Sequence, residues 1–178
     1  GDKNNQFRLI RAFKNRFGAI NEVGVFSMSE QGLEEIKDPG GVFMGEENDL
    51  PGSSVFISQE GNRSMLIEIQ ALLDTTPLPN PIRRTIGLDL NRLQMICAVI
   101  NKFIAMPVYS QNIFVSLIGG MKINDTGIDL PTFLAMISSH NGTVLPKTMA
   151  SFGEIGLTGE ISTVQNAEDR IREAARLG

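Results

Sequence analysis

The stretch from Phe7 to Met28, FRLIRAFKNRFGAINEVGVFSM, decides how the rest of the chain reads. Two apolar, β-prone runs, Phe7–Phe13 and Glu22–Met28, flank a short segment that holds two cations, Lys14 and Arg16. In extended chain, residues i and i+2 project to the same side. Lys14 and Arg16 therefore aim one way, with Phe13 and Phe17 facing the other. Gly18 follows, where the backbone can enter the left-handed region and turn back. A pair of fixed cations at the lip of a hairpin suits the negative charge of a phosphoryl group, on a nucleotide or on nucleic acid. On spacing alone, a solvated turn with two exposed charges is the stronger account of them, because charged turns are common.

Composition bounds the chemistry. The chain has 178 residues, 42% of them hydrophobic and 20% charged, which is ordinary for a globular fold and argues against disorder. A net charge of −4 does not suit a bulk electrostatic nucleic-acid binder, so any such contact must come from a local patch or from many copies in an oligomer. One cysteine, Cys97, and one histidine, His140, exclude an internal disulfide and a zinc site built from this chain. The single thiol points to a reducing, cytoplasmic setting. No run is long enough for a membrane span, and no signal-peptide pattern opens the chain.

After the hairpin, Ser29–Gly52 is rich in Gly, Pro and acids and reads as a linker, with one turn of helix expected around Leu33–Ile36. From Ser53 the pattern becomes α/β. Ser54–Gln59 and Ser64–Leu73 read as strands around a Gly61–Asn62 turn, and Met65, Ile67, Ile69 and Ala71 alternate onto one face. Thr75–Arg84 holds three prolines and reads as an irregular loop. Leu93, Ile96, Cys97, Ile100, Phe103 and Ile104 carry the i, i+3, i+4 spacing of a buried helix face, with Asp89 as its cap. Ile113–Ile118 reads as a buried strand, and Asp129–Ser139 as a helix with Asp129 near its cap and Pro131 in its first turn. Two short strands are expected around Gly156–Gly159. A last helix spans Asn166–Leu177, capped by Asn166, with Gly178 after its end. The fold class expected is α/β (α+β).

The pentapeptide Lys14-Asn15-Arg16-Phe17-Gly18 and the blocks GSSVFISQEGNRSMLIEIQALL (52–73), NPIRRTIGLDLNRLQMICAVINK (80–102), IFVSLIGGMK (113–122) and FGEIGLTGEISTVQNAEDRIREAARLG (152–178) closely resemble the bacterial RadA (Sms) family. The resemblance covers almost the whole chain. It implies that 1–28 is the closing hairpin of a RecA-like ATPase core, 29–52 a linker, and 53–178 a Lon-protease-like domain of the ribosomal protein S5 domain 2-like kind. No phosphate-binding G-x-x-x-x-G-K-[ST] string occurs here, so the chain is expected to be a C-terminal fragment without a complete ATPase site.

The same resemblance places Asp129 and Glu168 at or beside the positions of the Lon nucleophilic serine and its activating lysine. A carboxylate pair cannot replace a Ser–Lys dyad, so no proteolysis is expected. The family implies an ATP-driven, ring-forming (hexameric) DNA translocase that promotes branch migration in recombination and repair. ATP and Mg belong to the full-length parent and Zn to its N-terminal module, with no cofactor in this fragment. The expected partners are single-stranded or branched DNA, further copies of the chain, and RecA. Lys14 and Arg16 are implied to act in trans on a neighbour's phosphate, with DNA contact by the same loop as the alternative. Arg83, Arg84 and Lys122 are the DNA-contact candidates, with a solvated charge as the alternative for each. Two other functions compete: a Lon-type peptidase using another nucleophile, such as Thr126 or Thr132, and an oligomerisation module without DNA contact.

Overall fold

The chain is described by a computed structural model, which covers residues 7–12, 14, 16, 22–41, 43–45 and 50–178. Its architecture starts from the strongest pattern in the sequence. Strand β4 (Ser53–Glu60) and the long β5 (Arg63–Thr75) pair antiparallel across Gly61, whose φ of 60° suits the first central position of a tight hairpin. Met65, Ile67, Ile69 and Ala71 all point into the core, as their alternation requires.

Three more strands complete the sheet: β6 (Arg83–Ile86), β7 (Gln111–Leu117) and the short β8 (Ala150–Ser151), in the order β6-β7-β5-β4-β8. Both outer pairings are parallel and both inner ones antiparallel, so the sheet is mixed. Helix α1 (Leu90–Phe103) buries Leu93, Ile96, Cys97 and Ile100 of the stripe its sequence spacing sets out, whereas Phe103 and Ile104, expected on the same buried face, are exposed at its C-terminal end, past the part that packs on the sheet. The Asp89 carboxylate caps it by accepting from the Arg92 amide at 3.1 Å. Helix α2 (Asp129–Asn141) packs on β4 and β5 and ends at Gly142, whose φ of 64° lets Thr143 N–H return to the Ser138 carbonyl. A ribbon of β9 (Glu154–Ile155) and β10 (Ile161–Ser162) leads to α3 (Ala167–Leu177).

A second, three-stranded antiparallel sheet holds β1 (Phe7–Arg11), β2 (Val23–Ser29) and β3 (Gly32–Glu35). It rests on the larger unit through Phe7, Leu9 and Val25, with the Phe7 ring edge-on to Phe43 at 4.9 Å. The mixed sheet with its helices agrees with an α+β class.

Three expectations are corrected. Residues 32–35 form a strand, not a turn of helix: pairing with β2 supplies partners that local propensity does not reveal. Arg83 and Arg84 lie in β6, paired parallel to β7, not in an irregular loop. Asn166 stands at the α3 N-cap position but in the left-handed region (φ 58°), and its side chain makes no capping bond. The segment read as a linker is also stitched to the sheet. Leu66 N–H donates to the Gly40 carbonyl and Glu68 N–H to the Phe43 carbonyl, each at 2.9 Å, and Phe43 is fully buried.

Candidate functional site

The β1–β2 ladder runs from Phe7 opposite Ser27 to Arg11 opposite Val23, and one more bond, Ala12 N–H to the Glu22 carbonyl, closes it. Lys14 and Arg16 lie beyond that last rung and are exposed. Asn15, Phe17 and Gly18 of the same motif lie outside the described residues. Phe7, Leu9 and Arg11 share one side of β1 by their period-2 spacing. The first two pack against the core, and the third forms an ion pair with Glu60 at the end of β4. Glu60 is buried, which raises its pKa, while the nearby Arg11 guanidinium works against that rise.

The three DNA-contact candidates do not converge. Arg84 is exposed on β6, at a groove of about 1190 Å³ over the open face of the sheet, where Leu50, Leu72, Ile86 and Phe114 also lie. Arg83 lines the same groove, yet its guanidinium donates to the Val108 carbonyl at 3.0 Å. Lys122 is exposed elsewhere, at a polar cleft of about 690 Å³ shared with Arg11, Glu60, Asp125 and Arg170. Deep under the first groove sits the carboxylate of Glu68. Burial pushes its pKa up, but hydrogen bonds from Lys147 (2.7 Å), Gln70 (3.0 Å), Ser53 (2.8 Å) and the Gly45 amide (2.7 Å) outweigh this and hold it low.

The entrance to α2 is closed by two ion pairs, one buried and one half-buried. Asp129 is the first residue of α2, next to its cap, and it is 1% exposed. Its carboxylate takes both bonds from Arg92 Nη1, at 2.8 and 2.9 Å, and a third from the Ile155 amide at 3.1 Å. Burial raises its pKa against the pull of Arg92 and of that amide. Asp125 accepts from the amides of Gly127 (2.9 Å) and Gln59 (3.1 Å) and pairs with Arg170 at 2.6 Å. Arg170 also donates to the carbonyls of Ile57 and Gln165, and its guanidinium lies 5.4 Å from the Phe152 ring centre.

Among the described residues, the two carboxylates at this entrance, Asp125 and Asp129, are both held in ion pairs. The Gly127 and Ile155 amides at this entrance already serve carboxylates. A Cβ added at Gly127 would lie 3.1 Å from Asp125 Oδ1 and 3.3 Å from Arg170 Nη1. Thr132 is fully buried, out of reach of a peptide, whereas Thr126 lines the polar cleft. Glu168 is exposed in the first turn of α3, whereas the bonds that hold Asp129 come from Arg92 and the Ile155 amide. Among the described residues, no group of three or more His, Cys, Asp or Glu could hold a metal ion, and no helix is long and apolar enough to cross a membrane.

Sequence reasoning missed Asp125, Arg170 and Glu68. One trace of Arg170 is legible afterwards: it occupies the inward stripe of α3 with Ala167, Ala174 and Leu177.

No protein-family model matches the chain. Compared with curated proteins, it is similar from end to end to bacterial proteins named DNA repair protein RadA. Identity is 44% to that of Pseudomonas aeruginosa, 44% to that of Escherichia coli and 42% to that of Rickettsia conorii, with all of the chain aligned in each case. The chain spans about 40% of the length of these relatives. The resemblance carried by the Lys14–Gly18 motif and its flanking blocks thus holds along the whole chain.

Proposed function

We propose that this chain, matched throughout by proteins named DNA repair protein RadA, serves DNA repair and recombination as part of an ATP-driven DNA translocase. One observation carries the proposal: Lys14 and Arg16 stand exposed past the last rung of a hairpin whose base is docked on the larger unit. From there they reach phosphate on a neighbouring subunit of a ring, hexameric as the family resemblance implies. Arg16 offers a planar fork of donors and Lys14 a point charge, and both stabilise the negative charge that builds as a terminal phosphoryl group is transferred. Asn15, Phe17 and Gly18 complete the same motif. ATP and Mg would be held by the preceding core, and Zn by an N-terminal module.

Residues 53–178 are, in this proposal, a Lon-like domain that has become the ring's scaffold and guides DNA with Arg84 and Lys122, while Arg83 braces β6. Closure of the α2 entrance by Asp125–Arg170 and Asp129–Arg92 supports a scaffold over a peptidase. Repetition around an axis lets a chain of net charge −4 still present cations to a DNA backbone. Branch migration, RecA partnership and a cytoplasmic location follow the same family logic.

The test uses the full-length parent. Lys14→Ala and Arg16→Ala should each lower DNA-stimulated ATP turnover by about 10²- to 10³-fold, the scale for removing one charge-stabilising donor, without loss of folding. Wild-type turnover in both would refute the proposal. A module that assembles yet shows no salt-dependent DNA retention at low ionic strength would favour pure oligomerisation instead.

A further inference from the structure

We propose that Arg11 and Glu60 form a clamp that sets the direction of the Lys14–Arg16 tip, which makes both of them positioning residues for it; this rests on the phosphate-reaching role given to that tip above. The apolar docking of β1 lies at its Phe7 end, where Phe7 meets Phe43 and Leu9 packs on the core. Arg11 is two residues beyond Leu9, about 7 Å along an extended strand. A two-stranded ribbon held only at its base twists and swings at its tip. The Arg11–Glu60 pair attaches the ribbon at the end that carries the two cations, across the ladder from the buried Val23, and it lies on the same side of β1 as the apolar dock.

Glu60 is well suited to be the fixed half. It ends β4 opposite Arg63 at the tight hairpin turn and is 8% exposed. The neighbouring Arg170 is already committed to Asp125, the Ile57 carbonyl and the Gln165 carbonyl. Arg11 is the solvent-facing half, with its side chain 38% exposed. Water alone could satisfy such a cation, so its pairing is not needed to solvate it. What the pair adds is direction: it ties the phosphate-reaching tip to the same polar cleft that α3 reaches through Arg170.

The experiment measures DNA-stimulated ATP turnover of the full-length parent carrying Arg11→Gln, Glu60→Gln, Arg11→Lys or Lys14→Ala, with thermal unfolding of each. Arg11→Gln should lower kcat about three- to tenfold, with KM for ATP held within about twofold and the melting temperature unchanged. Arg11→Lys, which keeps the charge, should recover most of the rate. Glu60→Gln should match Arg11→Gln in rate even if burial costs it some stability. Wild-type kcat in Arg11→Gln beside an impaired Lys14→Ala would overturn the clamp alone. A fall in rate that merely tracks a fall in melting temperature in Arg11→Gln would overturn it as well. Wild-type turnover in Lys14→Ala would remove the phosphate role itself, and the clamp with it.

Discussion

Replacing Asp125 by Asn should be among the most damaging single changes outside the apolar core. The substitution keeps the size and the hydrogen-bonding atoms but removes the charge that faces Arg170. In the folded protein the two side chains are 8% and 3% exposed and 2.6 Å apart. Arg170 would keep two carbonyl acceptors, Ile57 and Gln165, yet stay buried without its paired carboxylate. Breaking a buried pair by neutralising one partner typically costs 3–5 kcal/mol, so about 3 kcal/mol is expected here, where two carbonyls remain. With a urea slope of about 2 kcal/mol per molar for a chain of this size, the unfolding midpoint should fall by roughly 1.5 M.

The assay is equilibrium urea unfolding with Asp169→Asn as the control. Asp169 pairs with Arg172 at a similar 2.8 Å, but with side chains 57% and 75% exposed, where such pairs contribute about 0–1 kcal/mol. The double change Asp125→Leu with Arg170→Met, which removes both charges, should be less harmful than Asp125→Asn alone. If Asp125→Asn costs no more than Asp169→Asn, the ion pair does not stabilise the α2 entrance and the reasoning fails.

Ile100→Ala should cost about 2–5 kcal/mol, since Ile100 is 1% exposed within the core, and chemical denaturation measures it. Glu68 titrates below its ordinary 4.5 in the folded chain, so its stabilising share is present above that value and drains away as pH falls through the folded pKa; Glu68→Gln should flatten this acid-side slope in unfolding curves taken from pH 6 downward. A variant with an unchanged slope would remove Glu68 from the acid response. Arg84→Ala in the full-length parent should reduce the slope of log affinity against log salt by about one unit for each subunit that contacts DNA, and an unaltered slope would place Arg84 off the DNA path.

Period and capping made much of the fold legible. The Met65–Ala71 alternation, the Leu93–Ile100 stripe and the Asp89 cap are local patterns, and each is realised as read. Gly32–Glu35 was not legible because its strand state depends on β2, not on its own four residues. Phe43 sits in a Gly- and acid-rich run, and its burial comes from filling the space beside Ile67 past the end of β7. At the site, Lys14 and Arg16 are exposed, while Phe13 and Phe17, read as facing the other way, lie outside the described residues. Asp129 read as lying near a cap because acids at helix starts usually do; its partner Arg92 is 37 residues away in sequence. Asp125 and Arg170 are 45 positions apart by their numbering, and no short-range pattern announces such a pair.

The attachment of Gly40 and Phe43 to β5 bears on how this protein can be divided. A piece cut to start at Ser53 would leave the Leu66 and Glu68 amides without their carbonyls and would open a hole where a whole benzyl group had been. Gene fragments meant to isolate the second half therefore belong upstream of Asp38, which also keeps the pairing of that acid with Arg176 on α3. By the same token, movement generated near the hairpin would be handed on through a braced joint, with little slack between the proposed phosphate-sensing part and the part that follows.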